Sequence, residues 1–570
     1  MFVSFAILVV LALQQLAGTT TTTHFPFHAQ KGYGNSSSPV RGAVASLSSI
    51  CSNIGLDLLK KGGNAADAMV GTEFCLGVNL LYLTGIGGGG FMLIRSASGE
   101  YEVVDFRETA PAGSTEDMFK DGSVHSIYGG LASGVPGTVR GLEYLHHNYG
   151  RLPWPDLLRP SIKLARTGFP VNEEMVSHMD RLDDTIFVDD SAWAIDFAPN
   201  GTRLGIGDTL TRRRYADLLE MLAERGPSAF YSGSIAAATI SALSRTGGIM
   251  TLEDLANYTV TVRQPQQITY RDFRLVSTGA PTSGAVVLNV LKTLEGYHDI
   301  WDPAHLNLST HRFDEAIRFG YGARTKLGDP SFNDTVNKFE AEMLTNQTSL
   351  AIRNKILDSS TQPVSAYNPD NIESLETPGT SNVVTADDSG LTVSLISTIN
   401  LNFGSTIMVP ETGLLMNNEM NDFSIAGTSD AFGFVPSPAN LIRPGKRPFS
   451  SSTPVIVEFL SNSTLYFVTG ASGGSRIITA TLQSLWYVLD RRLNIYEALA
   501  EPRFHDQLNP DVISFDYDYD NSTVAYMKAL GHNVSWMGHS SGMNALLRYP
   551  NGSFEAVGEP KFKGAGGVSL

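Results

Sequence analysis

The sequence predicts an α/β protein, and three observations carry that reading. Helical and extended patterns alternate almost to the end of the chain after the tract Thr19 to Thr23, as layered architectures require. Two β-hairpins are legible in the last third of the chain. A strand there runs through a glycine loop directly into a helix. Composition agrees, because 42% hydrophobic and 17% charged residues over 570 positions suit a globular chain. That length fits two to four domains, or one large decorated unit, and the balance excludes disorder and collagen-like order. With 41 Lys and Arg against 57 Asp and Glu, the formal charge is −16. Nucleic acid and anionic lipid are therefore poor partners. The only compact basic run, Arg212-Arg213-Arg214, reads as a solvated face before a helix.

Taken in order, the chain opens on an apolar run, Phe2 to Leu13, followed by small residues at Ala17 and Gly18. About 12 apolar residues are too few to span a membrane, which takes about 20, and they fit a signal-peptide core. Residues 1–18 are thus expected to be a signal peptide cleaved near Ala17 or Gly18, with an uncleaved signal anchor as the alternative. Residues 19–39 read as a Thr/Ser-rich linker. Asn-x-Ser/Thr sequons begin at Asn35, Asn200, Asn257, Asn307, Asn333, Asn346, Asn462, Asn521, Asn533 and Asn551. That is roughly twice the chance number, and it points with the signal segment to a secreted glycoprotein. If the segment is retained, a membrane-anchored or vacuolar location follows instead.

Cys51 and Cys75 are the only cysteines, which excludes a Cys-rich metal centre. In an oxidising compartment they are expected to form one structural disulfide; two buried free thiols are the alternative. Gly85 to Gly90 holds five glycines, lacks the Lys-Ser/Thr ending of a phosphate loop and leads into a strand at Phe91 to Arg95. It reads as a place where backbones approach closely. Pro160 to Arg166 reads as a helix with Pro at its first turn and Gly168 after its end. Tyr215, Leu218, Leu219 and Leu222 mark an amphipathic helix stopped by Gly226 and Pro227. Ala351 to Thr377 is polar and Pro-spotted, an exposed connection open to cleavage.

After Gly379 the period changes to two. Val383 to Ala386, a turn at Asp387-Asp388-Ser389-Gly390, and alternating Leu391, Val393 and Leu395 make a hairpin that begins at Thr380. Pro454 to Phe459 and Thr464 to Thr469 make a second, running into Gly470-Ala471-Ser472-Gly473-Gly474. A helix follows, with Ile478, Leu482, Leu485 and Leu489 on one face. Unpaired N–H groups at such a junction favour negative charge.

Two stretches match the Gly-x-Ser-x-Gly nucleophile elbow, at Ser472 and Ser540. No His follows His539, so Ser540 fails the order such a triad needs, whereas Ser472 keeps Asp490 and His505 as partners. A different nucleophile competes. If the Gly379–Thr380 bond were cut, Thr380 would carry both a hydroxyl and a free α-amine. With a reference pKa near 8, that amine can serve as general base.

Around Thr380 the sequence resembles the gamma-glutamyltransferases (gamma-glutamyl transpeptidases). Thr380-Ser381-Asn382 and Ser397-Thr398-Ile399-Asn400-Leu401-Asn402-Phe403-Gly404-Ser405 are similar to that family's nucleophile segment. Asn417 to Phe423, Pro444 to Ser451 and Gly470 to Gly474 are similar to its next motifs. Upstream, Gly62 to Ala68, Thr84 to Met92, Arg107 to Pro111 and Gly134 to Gly137 match in order. The resemblance implies an N-terminal nucleophile hydrolase fold, a four-layer αββα sandwich, made as a single-chain proenzyme. By it, cleavage between Gly379 and Thr380 gives a large fragment, 40–379, and a small one, 380–570, held together as a heterodimer. Thr380 is the implied nucleophile and Thr398 the residue that hydrogen-bonds its hydroxyl. Arg107, Ser450 and Ser451 are implied to hold the substrate's α-carboxylate, and Asn400, Glu419 and Asp422 its α-amino group. Gly473 and Gly474 would supply N–H groups to the oxyanion. No metal or organic cofactor is implied. Asn382 and Val384 depart from the family pattern beside Thr380.

Residue chemistry points the same way, since a γ-glutamyl group ends in a zwitterion. Arg suits its carboxylate as a bidentate fork, and Asp and Glu suit its ammonium. The expectation is an enzyme that opens the γ-glutamyl amide of glutathione and similar small molecules. The acyl group then passes to water, an amino acid or a dipeptide. A related acylase on another amide and an inactive γ-glutamyl-binding relative are the alternatives.

Overall fold

The structure, a computed structural model, describes residues 41–122, 124–373, 379–427 and 434–570. The expected signal segment, the linker 19–39, Asn35 and residues 374–378 before the expected cut lie outside the described residues.

In chain order the strands of the two main sheets are β1 (Gly42–Ser46), β2 (Gly89–Arg95), β3 (Tyr101–Asp105), β4 (Thr261–Arg263), β5 (Gln266–Tyr270), β6 (Phe273–Ser277), β7 (Ser381–Asp387), β8 (Thr392–Thr398), β9 (Val455–Phe459), β10 (Leu465–Ser472), β11 (Gly542–Arg548), β12 (Phe554–Gly558) and β13 (Gly566–Ser569). One sheet runs β13-β1-β7-β8-β2-β3-β4 and the other β12-β11-β10-β9-β6-β5. All the pairs within both are antiparallel. Both predicted hairpins form, as β7–β8 and β9–β10. The last strand, β13, lies against the first, β1.

Period-two patterning explains the layers. On β7, Val384 and Ala386 face Ile456, Val468 and Leu546 of the other sheet. Their neighbour Val383 faces away, into a cluster with the helices. The helices that frame the two sheets include α1 (Ser49–Lys60), α2 (Ala65–Asn79), α3 (Trp154–Thr167), α4 (Arg213–Arg225), α5 (Gly284–Leu294), α6 (Leu306–Arg324), α7 (Arg476–Leu485) and α8 (Asn521–Ala529). On the first sheet sit α1 and α2, with α3 behind α2 and α4 behind α3. On the second sit α5 and α7, with α6 behind α5 and α8 behind α6. The result is the four-layer αββα sandwich of N-terminal nucleophile hydrolases. Helix α2 starts at a reciprocal cap, Asn64 with Asp67, which satisfies two otherwise orphaned N–H groups. Cys51 and Cys75 form a disulfide that ties α1 to α2.

Three local expectations are corrected. The helix expected from Pro160 begins six residues earlier, at Trp154, with Pro155 in its first turn and Pro160 inside it. Burial of Leu157 and Leu158 carries the helix across the missing donor. Arg212 is not on a solvated face: it is 1% exposed and donates to the carbonyls of Gly77 and Gly413, while Arg214 donates to those of Pro410 and Ala192. Two guanidiniums thus bind carbonyls from separate segments: Gly77 in the last turn of α2, Ala192 in a short helix, Ser191–Phe197, and Pro410 and Gly413 in the loop after β8. The connection at 351–373 is only partly exposed, because Tyr367 and Asn368 are buried and residues 351–353 complete a helix, Asn346–Arg353.

Candidate active site

The β7–β8 register places Ser381 opposite Ser397, so Thr380 and Thr398 meet at one end of the hairpin. On the far side of β8, Thr398 pairs with Gly89. A Cβ on Gly88 would stand 2.0 Å from the Thr398 carbonyl oxygen, and one on Gly87 2.1 Å from that of Leu415. The glycine run is therefore a close-approach loop that supports this hairpin end. Gly379 has φ 126° and Thr380 φ 138°, a left-handed setting that glycine tolerates and threonine does not. Any side chain at position 379 would strike the Asn400 carbonyl oxygen, 1.8 Å from its Cβ. Strain is thus stored at the Gly379–Thr380 junction.

Gly379 and Thr380 line a cavity of about 1060 Å³, together with Ser472, Gly473, His178, Arg476 and Lys561. Gly473 and Gly474 both have positive φ and sit between the end of β10 and the start of α7. Neither backbone N–H is engaged by another described residue. Thr398 differs from expectation, because its hydroxyl accepts from Asn400 N–H at 2.7 Å and donates to the Asn400 carbonyl at 3.4 Å. With Gly379 still attached, Thr398 secures the turn at Asn400, which has φ 72°, rather than the Thr380 hydroxyl.

From Asn400 a chain of contacts leads to the expected pocket. Asn400 Nδ2 donates to the Asn418 carbonyl at 3.0 Å, and Asn418 Oδ1 accepts from Leu401 N–H at 2.9 Å. Asn417 Oδ1 accepts from Glu419 N–H at 3.0 Å. Arg107 reaches Glu419 Oε1 at 2.5 Å through one guanidinium nitrogen and Asp422 through another. Arg107 is 2% exposed and Glu419 1%. Burial opposes the charge on Arg107, yet Glu419, Asp422 and Glu108 raise its pKa overall. Burial also pushes Glu419 upward and Glu108 to about 8, against the pull of Arg107. Three carboxyl groups thus gather around one cation, an arrangement that a second cation would relieve.

Ser450 and Ser451 are placed by a residue the sequence reading missed. Arg324, at the end of α6, donates to Ser451 Oγ at 3.0 Å and to Ser283 Oγ at 3.2 Å. Ser450 Oγ bonds Ser452 Oγ at 3.0 Å. Asn440 joins the two loops, donating to the Asp422 carbonyl and accepting from Phe449 N–H. Arg324 is one of three arginines on α6, with Arg312 and Arg318, and no sequence signal singles it out from them. Beside Thr380, Asn382 is fully buried with Val384 and lies against Asn544 and Gly470 of the other sheet.

The alternative serine nucleophile is not assembled. Ser472 Oγ donates to the Gly542 carbonyl at 3.1 Å. His505 bonds Thr479 and Gln507, and Asp490 is held by Tyr270 and Arg271.

Residues 51–569 match the model of the family described as Gamma-glutamyltranspeptidase. A "Glutathione hydrolase proenzyme" of Arthroderma benhamiae is 51% identical over 540 residues, covering 92% of each chain. A "Glutathione hydrolase" of Aspergillus flavus is 45% identical, over 98% of this chain and 94% of that one. Among solved structures, cephalosporin acylase from Bacillus halodurans superposes with a TM-score of 0.79 at 25% identity, over 93% of this chain and 96% of that one. Helicobacter pylori gamma-glutamyltranspeptidase covers 56% of this chain and 92% of its own, with a TM-score of 0.52 at 31% identity.

Proposed function

Because this chain belongs to the gamma-glutamyltranspeptidase family, we propose that it is a self-processing glutathione hydrolase and gamma-glutamyltransferase, with Thr380 as nucleophile. The observation that carries this is the strained Gly379–Thr380 junction on the wall of a large cavity, beside Gly473.

In maturation, Thr380 Oγ attacks the Gly379 carbonyl carbon and the C–N bond breaks, leaving an ester and a free α-amine. Water then hydrolyses the ester to a Gly379 carboxylate and restores the hydroxyl. In turnover, the amine takes the hydroxyl proton as Oγ attacks the substrate's γ-carbonyl carbon. The N–H groups of Gly473 and Gly474 bind the oxyanion, each such donor contributing on the order of 3 kcal/mol. As the amide C–N bond breaks, the amine hands its proton to the departing cysteinylglycine. Water, an amino acid or a dipeptide then takes the γ-glutamyl group from the ester.

The pocket works by exchange of partners. The substrate's α-carboxylate takes Arg107, with Ser450 and Ser451 beside it. Its ammonium takes Glu419, Asp422 and the side chain of Asn400. The Arg107 ion pairs are replaced rather than lost, so neither charge is left bare in a buried site. The two fragments, 40–379 and 380–570, remain one heterodimer. Secretion with glycosylation is supported by the nine described sequons, all at exposed or half-exposed asparagines, and by the disulfide. No helix among the described residues is long and apolar enough to cross a membrane.

Denaturing intact mass of the deglycosylated protein tests the reading. Wild type should give two chains, the smaller starting at Thr380, and Thr380→Ala one. A folded wild type that stays whole would transfer the assignment to an inactive γ-glutamyl-binding relative. The likeness to cephalosporin acylase favours a second reading, cleavage of another amide. Unchanged γ-glutamyl turnover in an Arg107→Ala variant would support that one.

A further inference from the structure

Away from the cavity, α6 presents His311 and Glu315 one helical turn apart, opposite His532 in the turn that follows α8. His311 Nδ1 lies 2.9 Å from His532 Nε2. One ring nitrogen from each histidine and a Glu315 oxygen all lie within 4.8 Å of one another, and all three residues are buried.

Each is oriented by a further contact. His311 Nε2 is 2.8 Å from the Leu357 carbonyl oxygen. His532 Nδ1 is 3.2 Å from Asp314 Oδ2. Tyr367 OH lies 2.8 Å from both Glu315 oxygens, and Thr361 Oγ1 2.7 Å from one. A carbonyl behind one imidazole and a carboxylate behind the other form the outer shell that metal-binding histidines use.

Proton accounting points the same way. The Leu357 carbonyl can only accept, so His311 carries its proton on Nε2 and leaves Nδ1 bare. His532 Nε2–H must then fill the gap between the rings, which leaves Nδ1 with no proton to give Asp314. Asp314 is 0% exposed. Its two oxygens and His532 Nδ1 have no hydrogen-bond partner among the described residues. A dication between the rings removes the conflict. His532 moves its proton to Nδ1, donates to Asp314, and offers Nε2 to the metal, with no net loss of protons. The surrounding charge is also negative, since Arg318 faces Asp506 and Asp511 beside Asp314 and Glu315.

We propose that His311, Glu315 and His532 form a structural binding site for a divalent transition metal of the zinc type. Two imidazoles and one carboxylate are a zinc donor set, with water as the fourth ligand. Bonds of about 2.0–2.1 Å require the ring contact to open by about 0.4 Å. The proposal departs from the expectation that the protein needs no metal. His311 and Glu315 precede position 379 and His532 follows it. Leu357, Thr361 and Tyr367 belong to the stretch that leads to the cut. The metal would therefore join both fragments and anchor the end of the larger. That role rests on cleavage after Gly379; the site itself does not.

The test uses the full-length protein, stripped with a chelator and titrated with Zn²⁺ by calorimetry, with thermal unfolding read in parallel. One equivalent should bind per chain and raise Tm. Asp314→Asn should weaken binding roughly 10–100-fold, and Glu315→Gln or His532→Gln should abolish the Tm rise. A folded wild type that binds no stoichiometric Zn²⁺ overturns the proposal, as does binding that Asp314→Asn and His532→Gln both leave unchanged. If the variants do not fold, Co²⁺ bound to wild type decides. A tetrahedral ligand-field spectrum supports the site, and an octahedral one refutes it. Intact mass is read on the same sample, so failed metal binding and failed self-cleavage are told apart.

Discussion

Asp422 and Glu419 share the guanidinium of Arg107 where water is nearly absent. Removing one partner from such a buried group commonly costs about 3–5 kcal/mol, because the charge left behind is unpaired. Asp422→Asn keeps the shape and removes only the charge. It should lower kcat/KM for a γ-glutamyl anilide by about 100-fold, or about 2.7 kcal/mol, while the self-cleaved mass pattern persists. An unchanged kcat/KM would place the substrate ammonium elsewhere. That Arg107, Glu419 and Asp422 come together was legible because a zwitterion dictates residue types and the motifs supply the positions. Arg324 was not, since its place beside Ser451 depends on Ser283 and on a helix that begins at Leu306. Nor was the attachment of Thr398 to Asn400, which depends on backbone angles that no pattern encodes.

Helix α2 meets β8 through Glu73, whose Oε1 accepts from Ser397 Oγ at 2.6 Å and Thr84 Oγ1 at 3.2 Å. Burial raises its pKa to about 7, with those two hydroxyls pulling it down. The folded protein therefore holds a proton that the unfolded chain releases near pH 4.5. This contribution is fully present below about pH 4.5, is lost as pH rises towards 7, and amounts to at most about 3 kcal/mol. Glu73→Gln should flatten the fall in urea midpoint between pH 5 and 8. Parallel profiles for wild type and variant would show that Glu73 is ionised throughout. At this scale the hairpins were readable because alternation and turn residues are local. The start of α3 was not, because burial of Leu157 and Leu158 outweighs the break signal of Pro160. Arg212 misled for a related reason: a charge run looks solvated until distant carbonyls, Gly77 and Gly413, are folded against it.

Across the whole molecule, neither proposed fragment owns a complete sheet. In the first sheet β1 lies between β13 and β7, and β8 lies beside β2, so strands from before and after position 379 are interleaved. In the second, β9 pairs with β6 across the same division. Cleavage should therefore leave a single particle: the two chains should co-elute on native gel filtration and separate only in denaturant. Produced separately, 40–379 and 380–570 should each lack a cooperative unfolding transition. A fragment that folds alone would contradict this topology. The α/β class was legible as alternating helical and extended patterns, and the four layers through the resemblance alone; the interleaving was not, since antiparallel pairing between strands hundreds of residues apart leaves no local trace.

The pairing of β13 with β1 has a further consequence. Leu570 N–H donates to the Gly42 carbonyl at 2.8 Å, so the ends of the folded body already touch, and a short linker from Leu570 to Arg41 would close the backbone into a ring. That ring can be reopened at Gly379–Thr380. A rearranged gene would then begin at Thr380, pass through the former chain ends and stop at Gly379, keeping every strand in place. Once the initiator methionine is removed, such a circular permutant emerges from the ribosome with its amine free. Chemistry at Thr380 would then be separable from the maturation that normally exposes it.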